Sequence, residues 1–160
     1  MKKIYKLYNA ITLNTSGEKV DILASSVTAR ELRKHKHHFQ FDFISIAKDF
    51  SIYKIYLENQ PDIIQGLVAF RTQAGFLDCA NMEINEFNKH GIALYSGVGK
   101  SMVALCCKVS LDEGMDGYIS FEAKNRLIPY YQRLGAQRIG NSKRMFIDDT
   151  AARKLISLYF

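Results

Sequence analysis

Three strand-like stretches between Ile52 and Ile84 are joined by connections that are too short for anything but antiparallel pairing. Ile52 to Leu57 alternates Ile52, Lys54 and Tyr56 with Tyr53, Ile55 and Leu57, the period of two expected of a strand with two distinct faces. Asn59-Gln60-Pro61-Asp62 reads as a turn and leads into an apolar run from Ile63 to Arg71. Gln73-Ala74-Gly75 makes a second turn before Phe76 to Ile84. A parallel crossover needs about a dozen residues or more, so these connections force a meander.

The flanking sequence supplies helices. Thr28-Ala29-Arg30-Glu31 has the form of a capping box, opening a helix to about His38 whose basic end suits the helix dipole. After a polar loop from Asn85 to Ser96, Lys100 to Glu113 places Met102, Leu105, Cys106 and Val109 on one helical face, with Gly114 as the stop. A short strand, Tyr118 to Phe121, precedes a helix from Asn125 to Leu134, with Pro129 confined to its first turn and Gly135 ending it. Ala136 to Gly140 and Arg144 to Ile147 are strands, and Thr150 to Leu158 is a last helix. The first 25 residues show only a turn at Asn14-Thr15-Ser16-Gly17 between short apolar runs. The order specifies an α+β (mixed α/β) fold, a mostly antiparallel sheet flanked by helices. With 160 residues, 48% of them hydrophobic, residues 1–160 form one domain with a core of its own.

Charge narrows the partners. There are 22 Lys and Arg against 16 Asp and Glu, a net charge of +6, which favours phosphorylated cofactors, nucleic acid or acidic headgroups. The opening MKKIYKLYNAITL is broken by Lys6, Asn9 and Thr12, so it makes a poor signal peptide, and no stretch has transmembrane length. Cys79, Cys106 and Cys107 have neither framework nor zinc-ligand spacing, so the expectation is a soluble cytoplasmic protein with reduced thiols and no membrane partner. His35, His37 and His38 sit on a lysine-rich helix end with no nearby acids, a solvated cationic terminus rather than a metal site.

The chemistry concentrates in Leu94-Tyr95-Ser96-Gly97-Val98-Gly99-Lys100-Ser101, between strand and helix. Gly97 and Gly99 allow a tight turn and close approach of an anion, while the amides from Val98 to Ser101 carry the positive end of the helix dipole. A pyrophosphate fits such a site. Gly99-Lys100-Ser101 also matches the end of a P-loop, but the first glycine of that motif falls on Leu94 and the next strand ends in Glu122 rather than Asp.

The arrangement resembles the GNAT superfamily of acetyl-CoA-dependent N-acyltransferases over residues 28–147. Gly97 and Gly99 match both small positions of that family's [QR]-x-x-G-x-[GA] loop, with Leu94 at the [QR] position. Tyr130-Tyr131-Gln132-Arg133-Leu134-Gly135-Ala136 is similar to its aromatic-Tyr-x-[KR]-Leu-Gly-Phe segment, with Ala136 replacing Phe. The resemblance implies a GNAT-like fold and acetyl transfer from acetyl-CoA to a primary amine by direct attack, without metal. It implies that Tyr131 donates a proton to the departing sulfur and that Tyr130 packs. Met82 and Ile84 would pair with pantetheine, with the Ile84 amide as oxyanion donor. Glu83, sharing a face with Asn81, would serve as base, and Asn125 would contact pantetheine. Lys100 and Arg133 would meet phosphate or lie on the surface. The acceptor would be a small-molecule, peptide or aminoacyl amine, and a homodimer is compatible. An RNA- or aminoacyl-tRNA-directed protein of this fold, a non-catalytic acyl-CoA-binding domain and, distantly, a P-loop nucleotide-binding protein are the alternatives.

Overall fold

The meander lies at the centre of one larger sheet. The computed structural model describes residues 3–89 and 93–160. Residues 90–92 of the expected polar loop, and residues 1–2 of the opening segment, lie outside the described residues. The strands are β1 (Ile4–Leu13), β2 (Lys19–Ser26), β3 (Ser51–Tyr56), β4 (Gly66–Gln73), β5 (Phe76–Ile84), β6 (Tyr95–Ser96), β7 (Ile119–Glu122), β8 (Gln137–Arg138) and β9 (Arg144–Ile147). The helices are α1 (Ala29–His35), α2 (Phe43–Ile46), α3 (Val98–Asp112), α4 (Ile128–Arg133) and α5 (Asp149–Tyr159). The sheet runs β6-β1-β2-β3-β4-β5-β7-β9-β8. Among the described strands only β5 and β7 pair in parallel.

The first 25 residues form the β1–β2 hairpin, and the reason they resist reading is local. Asn9 has a φ of +49°, and the register shifts between Leu7 and Ile11. Tyr5 and Leu7 are buried before the irregularity, Ala10 and Ile11 after it. An irregular step of this kind interrupts the alternation on which a strand reading depends.

Elsewhere the expected elements form with shifted ends. The Thr28 hydroxyl accepts from the Glu31 amide at 3.2 Å, but the Glu31 carboxylate turns to Lys54, so only half of the capping box closes. β4 starts at Gly66 rather than Ile63, because the Ile63 amide still belongs to the preceding turn, donating to the Gln60 carbonyl. The expected helix from Asn125 divides into a 3-10 turn (Asn125–Leu127) and α4, with Pro129 in the first turn of α4. The strand expected from Ala136 to Gly140 contracts to β8. α2, a single turn capped by Asp42, had no counterpart in the sequence reading.

Helices cover both faces. α3, α4 and α5 pack on one side against a core that includes Leu7, Ile55, Val68, Leu77 and Phe121. On the other side Leu32 of α1, Phe39 of the following segment and Phe43 of α2 pack on Ile52, Leu67 and Ala69. β5 carries the feature that opens the sheet. Ala69 pairs with Asn81 and Phe70 with Cys79, leaving Ala80 as the extra residue of a bulge. β5 pairs with β7 only through Leu77 to Ile119 and Asp78 to Ser120. Beyond Asp78 the two strands part.

Candidate active site

The gap between the parted strands is a cleft of about 840 Å³. Residues Cys79 to Ile84 form one wall, and Glu122, Ala123, Leu127, Tyr130 and Tyr131 the other; the start of α3 closes one end. The backbone of the β5 wall has a defined direction. The Asn85 amide donates to the Gln65 carbonyl at 2.9 Å, on the β4 side. Peptide groups alternate along a strand, so the amides and carbonyls of Met82 and Ile84 point the opposite way, into the cleft. Among the described residues no strand stands there to pair with them. The Ala80 bulge also resets the side chains: Leu77 and Cys79 face α3 before it, Met82 and Ile84 after it, and Asn81 and Glu83 turn to the α1–α2 face.

At the end of the cleft the two glycines have separate reasons to be glycine. Gly97 holds a φ of +93°, and a Cβ there would lie 3.1 Å from the Ala10 carbonyl oxygen, so both backbone and neighbours require it. Gly99 has ordinary helical geometry, and its Cβ would meet nothing nearer than the Tyr130 hydroxyl at 3.8 Å. Its missing side chain leaves open space in front of the helix start. α3 begins at Val98, two residues before the expected Lys100. The Ser101 amide therefore already donates to the Gly97 carbonyl, and its buried hydroxyl donates to the Ala10 and Gly97 carbonyls. Ser101, expected in the anion cradle, is instead a tie between α3 and β1, and the cradle reduces to the amides of Val98, Gly99 and Lys100.

Tyr131 occupies the opposite wall. Its ring packs on Phe121 with centroids 4.8 Å apart and on Tyr130 at 5.3 Å. Burial, with smaller contributions from Tyr130 and Cys106, pushes its hydroxyl up to about 12. Such a group stays protonated through the neutral range and acts as a donor, not as a base. Tyr130, read from sequence as packing, also reaches the cleft beside Gly99. Cys79 and Cys107 are buried, and burial raises both thiols, so neither is a ready thiolate.

The structure gives Glu83 an occupation other than that of a base. The Gln40 amide donates to both of its oxygens, at 3.0 and 2.7 Å, the Phe41 amide donates at 3.0 Å, and Lys89 Nζ at 2.8 Å. A carboxylate offers about four lone-pair sites, and these four contacts use them. Glu83 thus pins the Gln40–Phe41 turn and Lys89 over the cleft. Removing the acceptor in Glu83→Ala should destabilise the fold by about 2–4 kcal/mol, because three part-buried donors lose their shared, buried partner. Thermal unfolding should show a drop of roughly 5–15 °C, and an unchanged midpoint would mean the turn holds itself.

Asn125 lies exposed in the 3-10 turn, away from the cleft lining, where Lys124 and Arg126 of the same segment appear instead. Lys100 and Arg133 likewise stand outside the lining. Gln40, Phe41, Lys89, Tyr95 and Lys143 reach the cleft without having been foreseen. Tyr95 is set by a buried amide relay: its backbone amide donates to Asn88 Oδ1 at 2.9 Å, and Asn88 Nδ2 donates to Gln65 Oε1 at 2.9 Å. Among the described residues no cluster of His, Cys, Asp or Glu could hold a metal, and no helix is long and apolar enough to cross a membrane.

No protein-family model matches the chain, and no curated protein matches it in sequence. Solved structures do match in shape. AtaTR bound with acetyl-CoA is 15% identical, with a TM-score of 0.59, over 84% of this chain and 97% of that one. The IAA acetyltransferase from Bacillus cereus is 12% identical, with a TM-score of 0.58, over 79% of this chain and 98% of that one. The ribosomal-protein-S18-alanine N-acetyltransferase from Escherichia coli is 11% identical, with a TM-score of 0.56, over 79% and 90%. The chain has the GNAT fold. Within the GNAT fold of this chain, the parted strands, the α3 amides and Tyr131 converge on one cleft.

Proposed function

We propose that this chain is an acetyl-CoA-dependent N-acetyltransferase in which a bound amine attacks the thioester directly. The observation that carries the reading is the parting of β5 and β7, which turns the polar backbone of Met82 and Ile84 toward a cleft with no strand to meet them. Pantetheine contains two amides and can pair with such an edge as an added strand would. The open space at Gly99 and the amides of Val98, Gly99 and Lys100 suit a pyrophosphate. Acetyl-CoA supplies the activated acyl group. The Ile84 amide is assigned to the oxyanion that develops on the carbonyl, and the Tyr131 hydroxyl to the sulfur as it leaves. AtaTR, of the same fold, has been seen with acetyl-CoA, which supports the choice of donor.

The acceptor is a small-molecule, peptide or aminoacyl amine. An acceptor carried on nucleic acid is the second reading, favoured by Lys124, Arg126 and Lys143 along the cleft and by the net charge of +6.

The testing experiment is a thermal-shift and calorimetric titration. Acetyl-CoA at ~100 Kd should stabilise the fold by about 2.7 kcal/mol, raising the midpoint by roughly 5–10 °C. CoA should retain most of that effect, and ATP with Mg²⁺ should have much less. Stabilisation by ATP with Mg²⁺ but not by acetyl-CoA would replace this reading with the P-loop one.

A further inference from the structure

An amine at neutral pH arrives mostly protonated, so attack on a thioester requires a group to take its proton. Glu83 is already occupied by four contacts. Among the described residues lining the cleft the other carboxylate is Glu122, an exposed residue at the end of β7. The strand itself fixes which way Glu122 faces. Phe121 packs against Tyr131 in the core shared with α3 and α4. Glu122, one residue on, projects from the opposite face of the sheet. That is the face of α1 and α2, and of Asn81 and Glu83 across the cleft.

We infer that Glu122 is the catalytic base of this chain, and that the sheet separates the two proton transfers, with Glu122 serving the amine on the α1–α2 face and Tyr131 serving sulfur on the α3–α4 face. The inference rests on the acetyltransferase reading above. The Gln40–Phe41 turn, pinned by Glu83, borders the amine's side of the cleft. A thioester laid through the gap between β5 and β7 presents its carbonyl carbon to one face and its sulfur to the other. The amine nitrogen then forms the C–N bond as the C–S bond breaks. The ammonium proton goes to the Glu122 carboxylate and on to solvent before attack. A second proton leaves nitrogen for Glu122 as the C–N bond forms, and the Tyr131 hydroxyl gives its proton to sulfur. Glu122 returns its proton to solvent and Tyr131 regains one from it, so the products are the amide and free CoA thiol.

The charges around Glu122 fit this role. Its cross-strand neighbour Arg144 donates to Asp78 at 2.9 Å, and Asp78 also pairs with Arg71. Arg144 is thereby engaged beneath Glu122. Lys124 and Lys143 also line the cleft, and Lys89 is held by Glu83.

The test uses Glu122→Gln in the whole chain, with Glu83→Gln beside it. Two reactions are followed from about pH 6 to pH 9: acetyl transfer to a tryptic peptide mixture by mass spectrometry, and CoA thiol release from acetyl-CoA in the absence of any amine. In the second, water takes the amine's place, so no acceptor has to be known. Glu122→Gln should keep acetyl-CoA affinity and its melting midpoint while both rates fall by about 10²-fold or more. The residual thiol-release rate should climb in proportion to hydroxide, a dependence the wild-type rate lacks. Glu122→Asp should recover part of the loss. Wild-type rates in Glu122→Gln with acetyl-CoA still bound would overturn the assignment of Glu122 and leave the acetyltransferase reading standing. So would a Glu83→Gln variant that alone acquires the hydroxide dependence. Failure of the wild-type chain to bind acetyl-CoA would overturn both.

Discussion

Tyr131→Phe should lower acetyl transfer by about 10²-fold while acetyl-CoA affinity changes little. The substitution removes one hydroxyl and keeps the ring, so the contacts with Phe121 and Tyr130 persist. The hydroxyl matters only as negative charge gathers on sulfur, which makes its contribution specific to the transition state. Positioned proton donors are typically worth ~10²–10⁴-fold. A thiol of ordinary acidity, with a pKa near ~8.5, leaves fairly well unaided, so the lower end applies, roughly 2.7 kcal/mol of barrier. Burial holds the Tyr131 hydroxyl at about 12, and a raised value of this kind means the donor form is intact below that pH and lost above it. Wild-type transfer should therefore show no alkaline decline from this group up to about pH 10. Single-turnover transfer and calorimetry on both proteins check the claim. Equal single-turnover rates would return Tyr131 to the core as a packing residue.

Gly99→Glu should abolish measurable acetyl-CoA binding, by at least ~10²-fold, in a chain that still folds. Position 99 has helical backbone geometry, and a Cβ there is clear of every atom but the Tyr130 hydroxyl, 3.8 Å away. A glutamate in the first helical turn is even favourable to α3 through its dipole. The same side chain would fill the space in front of the Val98, Gly99 and Lys100 amides and set a negative charge where phosphate must come. The melting midpoint without ligand should thus stay level or rise slightly, while the acetyl-CoA shift disappears. An unchanged affinity by calorimetry would remove this loop from the site.

What could be read without coordinates was whatever depends on near neighbours along the chain. The meander follows from turn lengths, the Thr28 cap and the Gly114 stop from single residues, and Pro129 from its missing N–H. Gly97 and Gly99, with Tyr131 further on, marked the cleft for the same reason: their spacing sits within one strand–loop–helix unit and the next helix. The hairpin of β1 and β2 escaped because Asn9 breaks the alternation that would have announced it.

The rest belongs to contacts between distant segments. Glu83 looked available as a base, yet its partners Gln40 and Phe41 lie 43 and 42 residues earlier, brought there by the packing of α1 and α2 on the sheet. Ser101 looked like part of the anion cradle until β1, 91 residues away, placed the Ala10 carbonyl against its hydroxyl. The extra residue Ala80 carries no mark in the sequence, because a bulge is defined by its partner strand. By itself the sequence determined most of the elements after residue 26, α2 excepted, their order, and the glycine loop and tyrosine that line one cleft, since propensity, capping and turn chemistry act over a few residues. Only the tertiary structure decided which carboxylate is occupied, which is open, and on which face of the sheet each stands, since those depend on strand register and on helices packing across it.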